Sequence, residues 1–305
     1  MTVSVPPTAD RPSQDDRAVV IVPHHDDEPR LVRCLAALDL PHGIECIVVD
    51  NGSPRDPADA VARFPGVRLL HEPAPGAAMA RNRGVAETTA PILLFLDADC
   101  VPGPGWAAHA RATVQAARRD GADPVIGGAV EVFHEGDGPL SGAQAFEAVF
   151  AFDFRDYIER QGFSGAGNLA TTRRAFDATG PFRATVSEDR DWTMRAVAAG
   201  FPLRYDDAMR VGHPSRGDWA ALRRKWRRLT DEGYALHRAQ GRSRLRWAGR
   251  ALLMPPSVLA HMPRVLRHPR IAGTRGRALA TLARLRLLRM AWMLRQAAGR
   301  DPSSP

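Results

Sequence analysis

Four short apolar runs, separated by stretches of helical periodicity, fill the first hundred residues and restrict the fold more than any other feature of the chain. The runs are "AVVIVP" (18–23), "IECIVVD" (44–50), "VRLLHE" (67–72) and "PILLFLD" (91–97). They are short, rich in β-branched residues and bounded by turn-forming strings such as "NGSPRDP", as buried strands are. Between them "EPRLVRCLAAL" (28–38) places Leu31, Cys34, Leu35 and Leu38 at helical spacing, "PADAVARF" reads as a short helix, and "GAAMARNRGVAET" (76–88) as a helix with a Gly-rich entry. Strand–helix alternation of this kind predicts an α/β fold with a mostly parallel, doubly wound sheet. In such sheets ligands sit outside the carboxyl ends of the strands. Asp50, Asp97 and Asp99 all fall at predicted carboxyl ends.

The fourth run sharpens the question. Leu93, Leu94, Phe95 and Leu96 lead into Asp97-Ala98-Asp99. Carboxylates at the end of a dry strand are costly unless something positive meets them. If the strand continues, its alternation points Asp97 and Asp99 to one side, as half of a divalent-metal site. The alternative is a turn, where Asp is also favoured.

Beyond residue 104, "GWAAHARATVQAARR" (105–119) reads as a helix and "PVIGGAVEVF" (124–133) as a strand, and then the pattern becomes irregular. "GFSGAGNLATTRRAFDATGPF" (162–182) holds a Gly-rich turn, a short strand and a short helix. "SEDRDWTMRAVAAGF" (187–201) is a helix with Trp192, Ala196 and Ala199 on its inner side and Gly200 as its stop; "PLRYDDAMRVGHP" (202–214) reads as two extended pieces around the Asp pair. The character changes near residue 218. Residues 1–240 carry 28 Lys+Arg against 33 Asp+Glu, whereas residues 241–305 carry 14 Arg and one acid. A basic tail on an acidic body suggests an anionic surface as partner, phospholipid or nucleic acid. "RALATLARLRLLRMAWMLR" (277–295) is a long helix whose Arg286 and Arg289 lie off the face of Arg277, Arg284 and Arg295, which gives it only modest amphipathic character. "ALLMPPSVLAHMP" (251–263) is uncharged, broken by Pro255-Pro256 and too short to span a bilayer.

The expected organisation is a disordered leader over 1–17, a catalytic domain over 18–217, and a basic helical region over 218–305 that associates with a membrane. The leader lacks the apolar stretch of a signal peptide. Cys34, Cys46 and Cys100 each lie in or beside an apolar segment and read as reduced packing residues of a cytosolic protein.

In this order and spacing, "VVIVPHHDDEPRLVRCLAAL", "IVVDNGSPRD", "PGAAMARNRGVAE", "ILLFLDADCVPGPGW", "GAGNLATTRRAFDATGPF" and "SEDRDWTMRAVAAGF" resemble a family 2 glycosyltransferase of the glycosyltransferase-A fold, over about residues 18–215. At residues 24–26 the chain has His-His-Asp where that family often has an aromatic residue and Asn. The resemblance implies transfer of a sugar from a nucleotide-diphosphate sugar to a hydroxyl acceptor, lipid-linked or a glycan or cell-envelope polysaccharide precursor. It implies an inverting, divalent-metal-dependent reaction using Mg²⁺ or Mn²⁺, and a cytoplasmic enzyme, peripheral on the cytoplasmic face of the membrane.

The same resemblance distributes roles, each with a structural alternative. Asp99 would hold the metal, with Asp97 on the ribose or a metal-bound water, and His213 as a further ligand or merely a structural histidine. Pro23, Asp50, Arg81 and Asn168 would join Asp97 in binding the donor. Asp50 would accept from the base, or else cap Asn51-Gly52-Ser53; Arg81 would meet the diphosphate, or form a surface salt bridge. The Glu188-Asp189 pair would supply the base, mapped to Asp189, or simply favour a helix start that Ser187 caps. "SGAGN" (164–168) would bring backbone and the Asn168 amide near donor or acceptor, glycine permitting the approach, or form an ordinary loop. Asp191 reads as an i,i+4 partner of Arg195. The basic stretch "RRKWRRL" (223–229) would bind diphosphate, a lipid-linked acceptor or phospholipid, or form a solvated helix face.

Two rival functions compete with this one on the residues. A nucleotidyltransferase would want a Gly-rich basic loop after the first strand, where this chain has "PHHDDEP". A non-enzymatic membrane or nucleic-acid binder would rely on the Arg-rich tail, whose aromatic residues are only Trp247 and Trp292, too few to stack single strands.

Overall fold

The computed structural model describes residues 16–184 and 187–299. The leader expected over 1–17 lies outside the described residues as far as residue 15. The chain forms two compact units. One takes the chain up to Glu131 together with Asp153–His213; the other takes Val132–Phe152 and the chain from Pro214 onward.

The first unit is built on a mixed sheet. Its strands are β1 (Ala18–His24), β2 (Ile44–Asp50), β3 (Val67–His71), β4 (Ile92–Leu96), β5 (Val101–Pro102), β6 (Val125–Phe133), β7 (Asn168–Thr172) and β8 (Leu203–Pro214), in the order β3-β2-β1-β4-β7-β6-β8-β5. The first four are parallel to their neighbours, and β7 turns the sheet antiparallel against β4. Chain order reverses between β1 and β4, which makes the crevice at their carboxyl ends the natural ligand position.

The parallel half is dry because helices cover both of its faces, as parallel sheets require. On one face Val20, Val22, Leu94 and Leu96 pack with Leu31, Cys34 and Leu35 of α1 (Glu28–Ala37) and with Trp106, Ala110 and Val114 of α4 (Trp106–Arg119). On the other, Val19, Ile21, Leu93 and Phe95 meet Ala78, Ala80 and Val85 of α3 (Ala77–Ala86) and Trp192 and Ala196 of α8 (Glu188–Ala198). Neighbours along β1 and β4 thus serve opposite cores, so a one-residue slip would exchange every contact. Each such buried Leu or Ile contributes about 1.5–3 kcal/mol by leaving water. The three cysteines are free and buried, and burial pushes the Cys46 thiol up to about 12.

Several local expectations are corrected. Strand β4 ends at Leu96, and Asp97–Asp99 form a turn closed by the Cys100 amide on the Asp97 carbonyl at 2.9 Å, so strand alternation does not orient the two carboxylates. Residues 203–214 form one strand, not two pieces; Asp206 accepts from the amides of Ala208 and Met209 without interrupting it. Ser187 has φ 58° and makes no side-chain cap on α8. Asp191 does pair with Arg195, at 2.8 Å. Two short helices, α2 (Ala58–Val61) and α7 (Arg173–Thr179), and one of six residues, Phe154–Glu159, complete the unit.

The second unit is helical apart from the strand ends that enter it. Beyond Gly142–Phe150, its elements are Trp219–Ala239, Arg244–Leu252, Ser257–Arg267 and Arg275–Ala297. Numbered in chain order, Gly142–Phe150 is α5, Phe154–Glu159 is α6, and the last four are α9 to α12. Helix α5 opens with a capping box: Gln144 N–H donates to Ser141 Oγ, and the Ser141 amide donates to Gln144 Oε1. Its core joins Phe146 and Val149 to Leu222, Val265, Leu282 and Leu285. Glu147 on α5 is buried and receives Lys225 Nζ at 2.8 Å and Arg216 Nη1 at 3.0 Å. Among the described residues no helix is long and apolar enough to cross a membrane.

Candidate active site

Arg81 organises the rim of the first unit's sheet. Helix α3 carries it on the side facing the sheet, leaving it 4% exposed. Its Nη2 donates to Asp97 Oδ1 at 2.7 Å and its Nη1 to Glu188 Oε1 at 3.1 Å, while the guanidinium lies 5.7 Å from the centre of the Phe182 ring. Burial alone would lower its pKa; the carboxylates of Asp97, Glu188 and Asp189 outweigh burial and raise it. Arg81 is a permanent buried cation that ties the turn after β4 to the start of α8.

Two glycines let backbone close around these acids. A Cβ at Gly167 would stand 2.5 Å from Asp97 Oδ2, and one at Gly165 would stand 3.3 Å from Asp189 Oδ2 and 2.8 Å from the Phe154 ring. The Asp97 amide donates to the Gly167 carbonyl at 3.2 Å, fixing the turn against this loop. Thr193 Oγ1 donates to the carbonyls of Ser164 and Asp189, which fixes α8 to the same loop.

Asp189 is the perturbed acid of the cluster. Burial pushes its carboxyl above the usual aspartate range, and Glu188 and Asp97 push the same way. Arg81 and the Arg190 amide, 2.7 Å from Oδ1, act against them. A buried carboxyl shifted toward neutrality suits general-base work.

Asp99 turns to a different partner from Asp97: its Oδ2 stands 3.2 Å from His213 Nε2. The antiparallel pairing of β5 with β8, Val101 opposite Gly212, brings them together. Among the described residues no cluster of three or more His, Cys, Asp or Glu side chains surrounds one point. The Asp99–His213 pair therefore offers a hard oxygen and an imidazole nitrogen, a donor set that fits a divalent ion whose shell is completed by phosphate and water.

Asp50 ends β2 and is buried. The amide and hydroxyl of Ser53 both donate to its carboxylate, which is the capping arrangement, and His71 Nδ1 stands 3.7 Å from Oδ2. Pro23 lies opposite Val49 in the β1–β2 pairing. The adjoining His24 is buried with no partner for Nδ1, and burial lowers its pKa. The contact of Ser53 is the one the capping alternative expects, whereas the role of His71 is not evident from sequence; its signal is the end of the third run, since His71 is the register partner of Asp50.

The expectation for the Asn168 amide is corrected. Asn168 is 0% exposed; its Nδ2 donates to the carbonyls of Ala129 and Met209, and its Oδ1 accepts from Trp106 Nε1. All these groups are spent on the fold, so the side chain holds β6, β8 and α4 against β7 and has no hydrogen to offer a ligand.

The model of glycosyl transferase family 2 matches residues 19–180, and the chain belongs to that family. It is therefore a glycosyltransferase. Glycosyltransferase AglE of Haloferax volcanii is 26% identical over 219 residues, 68% of this chain and 70% of that one. The pre-mycofactocin glycosyltransferase of Mycobacterium tuberculosis is 29% identical over 235 residues, 72% of this chain but 48% of its own length, so this chain spans about half of that relative. Among solved structures, mannosyltransferase PcManGT from Pyrobaculum calidifontis, in complex with GDP-Man and Mn²⁺, shares the fold with a TM-score of 0.50 at 18% identity, over 93% of this chain and 76% of that one.

Proposed function

We propose that the protein is an inverting, divalent-metal-dependent glycosyltransferase that moves a sugar from a nucleotide-diphosphate sugar to a hydroxyl acceptor, lipid-linked or a glycan precursor. The observation that carries this reading is Arg81 bonded to both Asp97 and Glu188 beside the buried Asp189, which gathers the turn after β4 and the start of α8 at one rim.

Asp189 takes the proton from the acceptor hydroxyl as its oxygen attacks the anomeric carbon. The bond from that carbon to the diphosphate oxygen breaks, and the electron pair leaves with the nucleoside diphosphate. Glu188 holds Arg81 in place, and Arg81 presents a fixed positive charge to the donor's phosphates. Asp99 and His213 would hold Mg²⁺ or Mn²⁺, with Asp97 on the ribose or a metal-bound water. The ion, when bound, neutralises charge on the departing diphosphate. Asp50 and Pro23 border the base and ribose. The GDP-Man and Mn²⁺ named for the neighbouring structure make a guanosine diphosphate sugar and Mn²⁺ the first probes. The excess of arginine over acids in residues 218–305 supports a peripheral position on the cytoplasmic face of an anionic membrane.

The test is a thermal-shift series with nucleoside diphosphates, with and without Mn²⁺, followed by product analysis with the sugar donor that responds. The expected result is a shift with one or two bases that needs Mn²⁺ and shrinks in Asp99→Asn and His213→Gln. A shift that ignores both metal and these variants would overturn the metal assignment. An Asp189→Asn enzyme that transfers sugar at the wild-type rate would overturn the base.

A further inference from the structure

Helix α12 carries an arginine where its helical pattern calls for an apolar residue. Arg289 lies on one face with Leu282, Leu285, Met293 and Gln296, at i−7, i−4, i+4 and i+7, and all four are buried. Its guanidinium sits 4.6 Å from the centre of the Trp226 ring of α9. Burial pulls its pKa down to about 10, and Arg286 and Arg250 push it the same way, with no carboxylate acting on it. Arg286, one turn earlier, is also lowered by burial, and its Nη1 meets only the Met254 thioether, at 3.9 Å. Three buried donors of this group have no hydrogen-bond partner: Arg286 Nε, Arg289 Nε and Trp226 Nε1.

Elsewhere in the unit, several cations are given carboxylates. Glu147 takes Lys225 and Arg216, Asp231 takes Arg227, and Glu232 takes Arg228. Residues 244–299, which make α10, α11 and α12, contain no Asp or Glu. Guanidinium charge partly withdrawn from water favours an anion close by, and among the described residues no carboxylate acts on Arg286 or Arg289.

The corner between α10 and α11 indicates where that anion comes from. Leu252, Leu253 and Leu259 are 61%, 63% and 68% exposed. They belong to the uncharged stretch 251–263, and Met254 within it is the residue that meets Arg286. A soluble phosphate would account for the arginines and leave the leucines unexplained. A phosphate carried on an acyl chain accounts for both, because the headgroup meets the guanidinium groups while the leucines enter the apolar layer.

We propose that Arg286 and Arg289, with Trp226, form a site for the phosphate of an anionic membrane lipid, seated beside a leucine corner that inserts into the bilayer. This deepens the membrane-surface part of the proposed function and is independent of the donor chemistry.

The test is flotation with vesicles of phosphatidylcholine alone and of phosphatidylcholine doped with phosphatidic acid, at one physiological salt concentration, together with melting curves. Arg289→Met is compared with Arg246→Gln, which removes one exposed cation from α10. The expected result is binding to doped vesicles only. Arg289→Met lowers the partition coefficient at least about tenfold, against at most about fivefold for Arg246→Gln, the effect of one screened surface cation. Without lipid, Arg289→Met melts no lower than wild type, because a half-buried charge with no carboxylate beside it has been replaced by an apolar side chain. Short-chain phosphatidic acid raises the wild-type Tm and leaves that of the variant unchanged. Should Arg289→Met fail to fold, Arg286→Gln is read against the same control. Equal losses in the site and control variants would overturn the site while leaving a general attraction of the basic helices. Failure to bind any vesicle would end both. Inorganic phosphate that raises Tm as much as the short-chain lipid would overturn the lipid assignment.

Discussion

Asp97 Oδ1 stands 2.7 Å from Arg81 Nη2, and this ion pair connects the interior of α3 to the turn that follows β4. The arginine is buried while the aspartate is partly exposed. Removing the guanidinium in Arg81→Gln leaves Asp97 and Glu188 as two carboxylates with no cation between them. We expect a loss of about 1–3 kcal/mol, discounted from a fully buried pair because solvent reaches both acids. Denaturant melts of the wild type and of Arg81→Gln measure it. Arg81→Lys should recover less than half of the loss, since one ammonium cannot span both carboxylates as the planar fork does. Full recovery would show that charge alone is needed at this position.

Gly167 has a stricter requirement. A methyl group there would meet Asp97 Oδ2 at 2.5 Å, so Gly167→Ala has to displace that carboxylate from Arg81. We expect activity to fall by at least about tenfold, as misplacement near 1 Å does at catalytic centres. Gly138→Ala, where nothing lies within 4 Å, is the matched control and should be unchanged. Product formation under saturating donor reads the difference.

As the proposed base, Asp189 should set the pH dependence of transfer. Its folded pKa is raised above the ordinary aspartate value by burial first. The deprotonated form, which is the base, therefore accumulates only as pH rises through that elevated value. The kcat profile should show an acid limb displaced upward from an ordinary aspartate. Asp189→Asn should lose the limb and about 10²–10⁴ of the rate. The stability sign is opposite. A raised folded pKa contributes stability present below the unfolded value and lost as pH rises through the folded one, so Asp189→Asn should melt no lower than wild type at neutral pH.

The sheet was readable because apolar periodicity and turn chemistry agree over residues 18–119; β1 to β4 and α1, α3 and α4 lie within a residue or two of the expected spans. Other features depend on direction, which residue type alone does not encode. Asn168 reads as a ligand in a Gly-rich loop, yet its amide points inward to Trp106, Ala129 and Met209. Asp97 and Asp99 read as a strand pair, but the chain turns after Leu96 and sends them to Arg81 and His213. Helix α5 did carry a signal, Ser141 and Gln144 at capping-box spacing, that an irregular background concealed. The modest amphipathicity of α12 has a tertiary cause: Arg289 occupies the interior face, a placement that only the partners on α9 and α10 reveal.

Glu147 in the second unit has an environment opposite to that of Arg289. It is a buried carboxylate met by Lys225, by the Arg216 guanidinium and by the Arg216 amide at 2.7 Å. Burial would raise its pKa, but the two cations and the hydrogen bonds overcome that and hold it below the ordinary glutamate value. Lys225 is in turn lowered by burial, with Glu147 acting against that. Glu147→Gln removes the one carboxylate shared by both cations, and we expect it to destabilise the fold by about 3–5 kcal/mol, the range for breaking a buried pair from one side. Because a depressed folded pKa contributes stability present above the unfolded value, the wild-type advantage should hold at neutral pH and fade as pH falls below about 4.5. Urea melts of both proteins across that range measure it. A gap between wild type and variant that stays constant through acid pH would show that Glu147 acts there by shape and not by charge.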